Sequence, residues 1–411
     1  MRIACVVNQF PPNVTAGLGR YAELITPYLA RGHELTVYTP NDGRLPVDEI
    51  VDGVRVHRPR GSLLGGRRLN RTRRAEFLLL ALNVVVSNWR YFLRLRRRRE
   101  RPDLVAVHDS TNFLSGLLCH YVLRLPVVFH VHTTEYGVAP QRSISDPLKV
   151  FAALERWLAR VARRVVVATP EVRDQLVAAG WARTPIDVVP LGGTYEAVLP
   201  SLDRDALRAG AAALRGRLGL AEGDPVLLFV GRLERQKGVY QLLEAMRAAA
   251  GVVPGLRLVI LGEGDVEGVE RIVAATGLRG RVLVPGRFVG GRELLEYYEL
   301  AAACVFPSLF EPFGLVATEA MAMGRATILG DGFSRVFLGP DPDRPAAYVV
   351  RAGEPADIAR GVIEVMSDAA LRRGLAERGE RFVRESLSWS RAAAGTTEVY
   401  RTAVKAGREL R

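Results

Sequence analysis

The chain alternates short apolar runs with longer segments in which apolar residues recur at helical spacing. The apolar runs are rich in Val, Ile and Leu and are only a few residues long, so each predicts a buried strand. Continuous apolar strands that alternate with helices are typical of parallel sheets covered on both faces, so the pattern predicts an α/β fold. The predicted strands are Ile3–Val7, Leu35–Tyr38, Val54–His57, Leu104–His108, Val127–Val131, Val165–Ala168, Ile186–Val189, Val226–Val230, Leu256–Leu261, Val282–Val284, Ala303–Pro307, Ala326–Leu329 and Tyr348–Val350.

The length of the chain and the number of strands predict two domains. A chain of 411 residues exceeds the usual size of one hydrophobic core. About six strands in each half are enough for one doubly wound, Rossmann-like domain each. We place the N-terminal domain at residues 1–192, the C-terminal domain at 193–390, and a helical segment at 391–411. Two such domains in tandem place a cleft between them, outside the carboxyl ends of the strands.

Composition excludes several classes of protein. Hydrophobic residues make up 48% of the chain and charged residues 25%, which excludes a disordered or fibrous protein. Cys5, Cys119 and Cys304 are far apart and odd in number, which excludes a disulfide scaffold and suits a reducing cytoplasm. The apolar run at the N-terminus ends at Asn8, too early for a signal peptide. We therefore expect a cytoplasmic protein.

The first motif of chemical interest is Phe229-Val-Gly-Arg232-Leu-Glu-Arg-Gln-Lys237-Gly238, which follows a predicted strand and precedes a helical run from Val239. Two cations in a glycine-flanked turn suit a diphosphate, because arginine binds it as a fork and lysine as a point charge. Lys237 is one of three lysines in the chain, which indicates that this position requires lysine rather than arginine. The alternative is a solvated basic turn.

The second motif occupies residues 307–324, also directly after a predicted strand. Glu311 lies in the loop, and a helix is predicted from near Gly314 to Gly324. The start of this helix offers free N–H groups and the positive end of a dipole to an anion. Glu319, about one turn further on, could accept hydrogen bonds from a ribose diol, or be an ordinary surface acid. Glu311 could reach the hydroxyls of a transferred group.

Together the two motifs resemble those of the retaining GT-B glycosyltransferases of the "glycosyl transferases group 1", or family four, type. They read Gly-Arg-Leu-x-x-x-Lys-Gly and, 79 positions after the arginine, Glu-x-Phe-Gly-Leu-x-x-x-Glu-Ala. Weaker matches that extend the resemblance over nearly the whole chain are Gly17-Leu-Gly19-Arg20, Arg31-Gly-His33-Glu-Leu, Pro102-Asp-Leu-Val and Gly262-Glu263-Gly264.

The resemblance implies the GT-B architecture, in which two Rossmann-like domains face each other across a cleft. The N-terminal domain would be the acceptor side and the C-terminal domain the donor side, and residues 391–411 would return to the N-terminal domain. Arg232 and Lys237 would hold the donor diphosphate, Glu311 would contact the donor sugar, and Glu319 the ribose. The other residues implied at the donor are Gly17, Gly19, Gly262, Arg287, Phe288, Phe313, Gly314 and Leu315.

The family usually has a histidine after a strand of the N-terminal domain, and the match here is Val127-Val-Phe-His130-Val-His132. We assign His132 as the functional histidine, which joins Arg232, Lys237 and Glu311 as the expected catalytic residues. His130 lies on the same strand face and is interpreted as a core histidine. Two such histidines could bind zinc, but no Cys or acidic cluster completes that site in the sequence.

Similar enzymes need no divalent metal or cofactor, because cations and a helix end neutralise the diphosphate of a UDP-, GDP- or ADP-sugar. Asp203-Arg-Asp205 and Asp341-Pro-Asp343 match the Asp-x-Asp of metal-dependent transferases, but their surroundings favour turn chemistry. We therefore expect no metal. The sequence departs from the family pattern at Leu191-Gly192-Gly193 and at Arg325–Ser334, where the family usually has Asn-Gly and a Gly-Gly-x-x-Glu turn.

The positive charge of the chain is concentrated in one segment. Between Arg67 and Arg101, twelve arginines and two glutamates give +10 of a total net charge of +13. The helical pattern from Glu76 to Arg98 has a wide apolar face, and its uncharged run is too short to span a bilayer. The segment is either an interfacial helix on an anionic membrane or a helix packed on the N-terminal sheet with a basic exposed end.

The leading hypothesis is a hexosyltransferase that moves a sugar from a nucleoside diphosphate to an acceptor hydroxyl with retention. The basic segment favours a lipid-linked or phosphate-bearing acceptor and a peripheral position on the inner face of the cell membrane. Within enzymes, the same fold also supports nucleotide-sugar epimerases and sugar phosphorylases. A non-enzymatic alternative is a basic nucleic-acid- or membrane-binding protein, but no nucleic-acid-binding signature accompanies the arginines.

Overall fold

The computed structural model describes residues 1–14, 17–41, 43–60, 73–132, 149–181 and 183–409. These residues form two α/β units, each with its own sheet and core. Unit 1 comprises Met1–Leu191 and Trp389–Arg411, and unit 2 comprises Gly192–Ser388. The part of the predicted basic segment that precedes Arg73 lies outside the described residues.

The sheet of unit 1 runs in the order β3-β4-β2-β1-β5-β6-β7-β8. Its strands are parallel apart from β3, which is antiparallel to β4. The order reverses between β1 and β5, and ligands of doubly wound sheets bind at such a switch point. The strands are β1 (Arg2–Val6), β2 (Glu34–Tyr38), β3 (Asp48–Val51), β4 (Val54–His57), β5 (Leu104–His108), β6 (Val127–Val131), β7 (Arg164–Val167) and β8 (Ile186–Val188).

The edge strand β3 corrects the prediction of wholly parallel sheets. Its residues alternate between exposed and half-buried, so it lacks the continuous apolar run of the other strands. β3 and β4 are joined by Asp52 and Gly53, both with positive φ, 49° and 80°. An Asp-Gly pair in this conformation is the preferred two-residue turn of a hairpin.

The sheet of unit 2 runs in the order β11-β10-β9-β12-β13-β14, and its strands are parallel. The order reverses between β9 and β12, so the loops after these two strands lie at the switch point. The strands are β9 (Val226–Val230), β10 (Arg257–Leu261), β11 (Val282–Leu283), β12 (Ala303–Phe306), β13 (Ala326–Gly330) and β14 (Tyr348–Val350).

Helices cover both faces of each sheet, as the continuous apolar strands require. In unit 1, α2 to α5 pack on one face, with Tyr91, Leu117 and Leu158 in a common core, and α1 and α13 pack on the other. The α-helices are α1 (Gly17–Ala30), α2 (Arg73–Leu95), α3 (Phe113–Tyr121), α4 (Lys149–Val161), α5 (Pro170–Leu176), α6 (Arg204–Arg217), α7 (Val239–Val252), α8 (Val266–Ala275), α9 (Gly291–Leu300), α10 (Leu315–Ala322), α11 (Pro355–Ser367), α12 (Ala369–Ser386) and α13 (Trp389–Glu409).

The structure also describes the cysteines, the apolar length of the helices and the two Asp-x-Asp pairs. Cys5, Cys119 and Cys304 are buried and free. No helix in the described ranges is long and apolar enough to cross a membrane. Both Asp-x-Asp pairs serve local turns: Asp203 caps α6, and the Asp341 carboxylate accepts a hydrogen bond from the N–H of Asp343 at 3.0 Å.

Gly238 sets the distance between the loops after β9 and β12. Its φ is +71°, and a Cβ atom at this position would lie 1.9 Å from the carbonyl oxygen of Pro307. That separation is far below any real contact, and the opposing atom is backbone, which cannot rotate away. The glycine therefore allows two loops from neighbouring strands to lie in contact.

We predict that Gly238→Ala lowers the free energy of unfolding by about 3–5 kcal/mol, because it combines a left-handed backbone with an overlap that one loop must relieve. Urea unfolding followed by circular dichroism measures the change. Gly219→Ala is the matched control, since Gly219 has a φ of +65° but a Cβ atom there would have no neighbour within 4 Å. It should cost only about 1 kcal/mol. Equal losses for the two variants would contradict the close approach.

Candidate functional site

The loops after β9 and β12 hold the two motifs side by side in unit 2. The side-chain amide of Gln236 donates to the carbonyl oxygen of Phe310 at 3.1 Å. The N–H of Leu309 donates to the carbonyl oxygen of Gln236 at 2.9 Å. Because these bonds join backbone to backbone and side chain to backbone, they fix the two loops relative to each other.

Lys237 and Glu311 form an ion pair where the two loops meet. The Lys237 Nζ lies 2.5 Å from Glu311 Oε2, and the two side chains are 18% and 12% exposed. Partial burial strengthens their attraction, because less water screens it. The family resemblance assigned Lys237 to the diphosphate and Glu311 to the sugar of one donor, and the structure brings their charged groups into direct contact.

Arg232 lies in the same loop but is mostly exposed. Its guanidinium is 3.0 Å from the carboxylate of Glu234. Its loop is joined to the loop after β10, where the N–H of Leu233 donates to the carbonyl oxygen of Glu263 at 2.8 Å. A Cβ atom at Gly262 would lie 1.8 Å from the carbonyl oxygen of Gly231, so this contact requires a glycine.

Two helices begin at the switch point without a side-chain cap. Gly238 precedes α7 and Gly314 precedes α10, each with a left-handed backbone and no capping side chain. The first N–H groups of a helix have no intrahelical partner, and together with the helix dipole they attract anions. Beside them, Phe313 is buried against Phe337 with ring centroids 5.2 Å apart, and Leu315 is half-buried.

Glu319 is a buried acid, so the alternative of an ordinary surface acid is wrong. It is only 8% exposed, and Tyr298 on α9 donates a hydrogen bond to its Oε2 at 2.8 Å. Burial and the neighbouring carboxylate raise the pKa of Tyr298 well above its ordinary value, so the phenol keeps its proton. Tyr298 is a residue that the motifs did not reveal, since it lies on another helix.

The segment that departs from the family pattern packs against the second motif. The N–H of Glu311 donates to the carbonyl oxygen of Gly332 at 2.9 Å. A Cβ atom at Gly332 would lie 2.4 Å from the backbone of Ser308 and Leu309. The divergent loop after β13 therefore helps to hold the backbone of Glu311 in place.

Arg287 and Phe288 lie in the loop after β11. The guanidinium of Arg287 pairs with Glu293, and Nη1 is 2.9 Å from its carboxylate. Phe288 is among the most exposed apolar side chains of the described residues. Their placement at the base of a donor nucleotide stays a prediction.

The glycines assigned in unit 1 lie in the first turn of α1. Gly17 is exposed, whereas Gly19 is buried and a Cβ atom there would lie 3.0 Å from the side chain of Gln9. Gly19 thus lets α1 approach the loop after β1. Across the switch point of this sheet, the side-chain amide of Asn8 donates to the hydroxyl of Thr111.

His132 belongs to a cluster of three histidines that the sequence revealed only in part. Its Nε2 lies 3.0 Å from Nδ1 of His108, the last residue of β5. His108 stacks on His130 with ring centroids 4.3 Å apart, and His130 Nε2 lies 2.9 Å from the hydroxyl of Tyr400 on α13. His130 is a buried core histidine, which confirms that interpretation.

Burial keeps this histidine cluster neutral. It lowers the pKa of His132 to about 4 and the pKa values of His108 and His130 well below their ordinary value. His132 at pH 7 is therefore an uncharged hydrogen-bonding group. Despite the clustering, no group of three or more His, Cys, Asp or Glu side chains within the described ranges is arranged to hold a metal ion.

Comparison with known protein families assigns both halves of the chain. Residues 211–382 match the family model "Glycosyl transferases group 1". Residues 16–192 match the "Glycosyl transferase 4-like domain". The first match contains the Lys237–Glu311 pair and the second contains the histidine cluster.

Related proteins cover most of the chain. It is 29% identical to the glycogen synthase of Mycobacterium tuberculosis, over 100% of this chain and 96% of that protein. It is 30% identical to the D-inositol 3-phosphate glycosyltransferase of Nocardia farcinica, over 74% of this chain and 67% of that protein. Among solved structures, the sucrose-phosphate synthase of Thermosynechococcus elongatus superposes with a TM-score of 0.77 at 22% identity, covering 98% and 99% of the two chains.

We predict that the histidine cluster destabilises the protein in mild acid. Unfolded histidines bind protons near pH 6.5, whereas folded His132 stays neutral down to about pH 4. The unfolded state therefore binds more protons in this window, and stability falls as the pH falls, by about 1.4 kcal/mol per pH unit for each such histidine. Urea unfolding at a series of pH values measures the slope, which His132→Gln should reduce.

Tyr400→Phe is the control for this measurement. It removes the hydroxyl that contacts His130 but no group that titrates in acid, so it should lower stability without changing the slope. An unchanged slope in His132→Gln would contradict the neutral, buried state of His132.

Proposed function

The chain belongs to the group 1 glycosyltransferases, and we propose from this premise that it transfers its sugar to an acceptor hydroxyl with retention of the anomeric configuration. As a member of this family it is a glycosyltransferase of the GT-B fold class that uses a nucleotide sugar. The proposal adds the stereochemical course, the chemistry of the acceptor and the role of each residue at the site.

The observation that carries the proposal is the Lys237–Glu311 pair beside two uncapped helix starts at the switch point of unit 2. When the bond between sugar and diphosphate breaks, negative charge grows on the diphosphate and positive charge on the sugar ring. Lys237, Arg232 and the N–H groups at the start of α10 would stabilise the negative charge on the diphosphate. The Glu311 carboxylate would accept hydrogen bonds from the sugar hydroxyls and stabilise the positive charge on the sugar ring.

We assign Glu319 to the ribose of the donor. The hydrogen bond from Tyr298 holds one carboxylate oxygen and fixes the orientation of the group. Each carboxylate oxygen can accept more than one hydrogen bond, so the carboxylate retains acceptor capacity for a ribose hydroxyl. Its burial is consistent with a role that needs a fixed rather than a mobile acid.

We assign His132 as the functional histidine of unit 1. Since it is neutral, it would act by hydrogen bonding rather than by charge. The contact with His108 holds its Nε2, so the ring has one defined orientation. His108 would thus act on the reaction through His132, by positioning it.

The charges at the site and along the chain also bear on the need for a metal, on the acceptor and on where the enzyme works. Two cations and two helix starts supply the positive potential that a divalent cation supplies elsewhere, so we propose metal-independent transfer. We propose that the acceptor is lipid-linked or phosphate-bearing, and that the enzyme works in the cytoplasm at the inner face of the membrane. The arginines of the basic segment support this, since they favour anionic groups.

We predict that one of UDP, GDP and ADP raises the melting temperature of the protein without added metal. A ligand that binds only the folded state stabilises it by mass action. Lys237→Ala should lose this shift, because it removes the cation at the diphosphate. Thermal unfolding in the presence of a chelator measures both effects.

Lys405→Ala is the matched control, since Lys405 is an exposed lysine on α13. It should keep the full shift. If no nucleotide shifts the melting temperature of the wild type, the donor assignment of unit 2 is wrong.

We predict that Glu311→Gln separates nucleotide binding from transfer. Removing a negative charge 2.5 Å from Lys237 leaves the lysine free for the diphosphate, so the nucleotide shift should persist or increase. Loss of the charge at the sugar should lower the rate of donor turnover by about a hundredfold. Release of the nucleoside diphosphate measures turnover, and loss of the nucleotide shift in this variant would count against the roles assigned to the pair.

A further inference from the structure

Three neighbouring helices of unit 1 expose apolar and aromatic side chains. On α2, Leu82, Val85 and Trp89 lie at helical spacing on one face and are 48%, 44% and 48% exposed. At the end of α3, Tyr121 and Val122 are more than half exposed, and Trp157 on α4 is 46% exposed. We call this set of six residues the α2–α4 face.

The three helices that carry the α2–α4 face lie side by side in the fold although its residues are scattered in the sequence. All three helices pack on the same face of the sheet, with α3 in contact with α2 and with α4. The indole N–H of Trp157 lies 3.4 Å from the hydroxyl of Tyr121 and donates to it. Only the α2 part was visible as a stripe in the sequence.

A buried polar network fixes which side of α2 faces outward. The side-chain amide of Asn88 donates to the carbonyl oxygen of Thr111 at 3.0 Å and accepts from the N–H of Ser115 at 2.9 Å. The neighbouring Tyr91 and Leu95 fill the core. Any rotation of α2 that buried its exposed residues would break these bonds. The outward position of Trp89 is therefore a stable feature.

Arginines cluster at the C-terminal ends of the three helices that carry the α2–α4 face. Between Ala81 and Arg101 the sequence has seven arginines and one acid, and Arg96 to Arg99 are all exposed. The acid, Glu100, pairs with Arg94. Near the other helices, Arg101 donates to the carbonyl oxygen of Leu123 at 2.6 Å, and Arg124 and Arg160 are exposed.

We propose that the α2–α4 face is a docking surface for an anionic lipid bilayer. Tryptophan and tyrosine favour the boundary between hydrocarbon and headgroups, where a ring can be apolar at one end and wet at the other. The arginines at the ends of these helices would pair with phosphate headgroups. Together they supply the two signals that stable membrane attachment requires.

The composition of the face favours a bilayer over nucleic acid. Leu82, Val85 and Val122 have no stacking surface for a base, whereas acyl chains accept them as readily as aromatic rings. A nucleic acid would gain from the arginines alone and would leave the apolar positions in water. This inference deepens the proposed function, since a surface-bound enzyme would meet a lipid-linked acceptor directly.

The test uses the full-length protein, without any sugar nucleotide, and vesicles of phosphatidylcholine with or without phosphatidylglycerol. We expect binding to the vesicles that contain phosphatidylglycerol, weakened by salt. The chain has four tryptophans, of which Trp181 and Trp389 are buried, so Trp89 and Trp157 are the exposed reporters. Brominated lipids should quench the fluorescence of the wild type but not that of Trp89→Phe with Trp157→Phe.

Two charge variants distinguish vesicle binding through the α2–α4 face from vesicle binding through the net charge of the protein. The first replaces Arg96, Arg97, Arg98 and Arg99 by Gln and should weaken vesicle binding by about fivefold for each arginine removed. The matched control makes the same charge change on exposed arginines of unit 2. These are Arg247, Arg271, Arg279 and Arg373. The control should bind vesicles almost as the wild type does.

Each of three outcomes would overturn the proposal: no binding to phosphatidylglycerol vesicles, equal weakening by the two charge variants, or vesicle binding without quenching by brominated lipids. Duplex DNA bound more tightly than vesicles at the same salt would assign the arginines to nucleic acid instead. The nucleotide-dependent rise in melting temperature is measured separately on the same variants. If the variants keep this rise in melting temperature, they are folded. If the wild type shows no rise, the donor site is refuted, and the result on membrane binding is unaffected.

Discussion

The contact between the loops after β9 and β12 is the constraint on which the site of unit 2 depends. Because position 238 has no side chain, its backbone rests on the carbonyl oxygen of Pro307. Lys237 and Glu311 are thereby held within hydrogen-bonding distance, and α7 and α10 begin at neighbouring strand ends. A partly buried ion pair adds little net stability once desolvation is counted. The pair is therefore better understood as a product of backbone packing than as the force that holds the loops together.

Most of the strands were predictable from the sequence because buried parallel strands are continuous apolar runs. The exception, β3, is half exposed on an edge and so has no such run. Its signal was the Asp52-Gly53 pair, which marks a hairpin turn more reliably than composition marks the strand. Helices behaved similarly: the apolar spacing placed α7 and α10 within a few residues, and the glycines before them defined their starts.

The residues of the site that lie within a motif were predictable from the sequence, but the contacts between distant segments were not. A motif gives residue types in order, so Lys237, Glu311 and Glu319 could be named, whereas Tyr298 could not, since its hydrogen bond to Glu319 depends on how α9 packs. His108 is an intermediate case. It ends β5 next to the strand that carries His130, and the ends of adjacent parallel strands meet, so the strand order would have placed it beside the other histidines. The loop at Gly332 diverges from the family pattern, and no resemblance could predict its contact with Glu311.

The amide of Asn88 has a consequence for how unit 1 can change over generations. Because this buried group and its partners set the rotation of α2, the residues on the outer side of the helix contribute little to its packing. Substitutions at Leu82 or Val85 can accumulate at small cost to folding, while a substitution at Asn88 would disturb the position of every outward side chain at once. The buried residues of α2 thus keep the helix in one orientation, while its exposed residues can change to suit a binding partner.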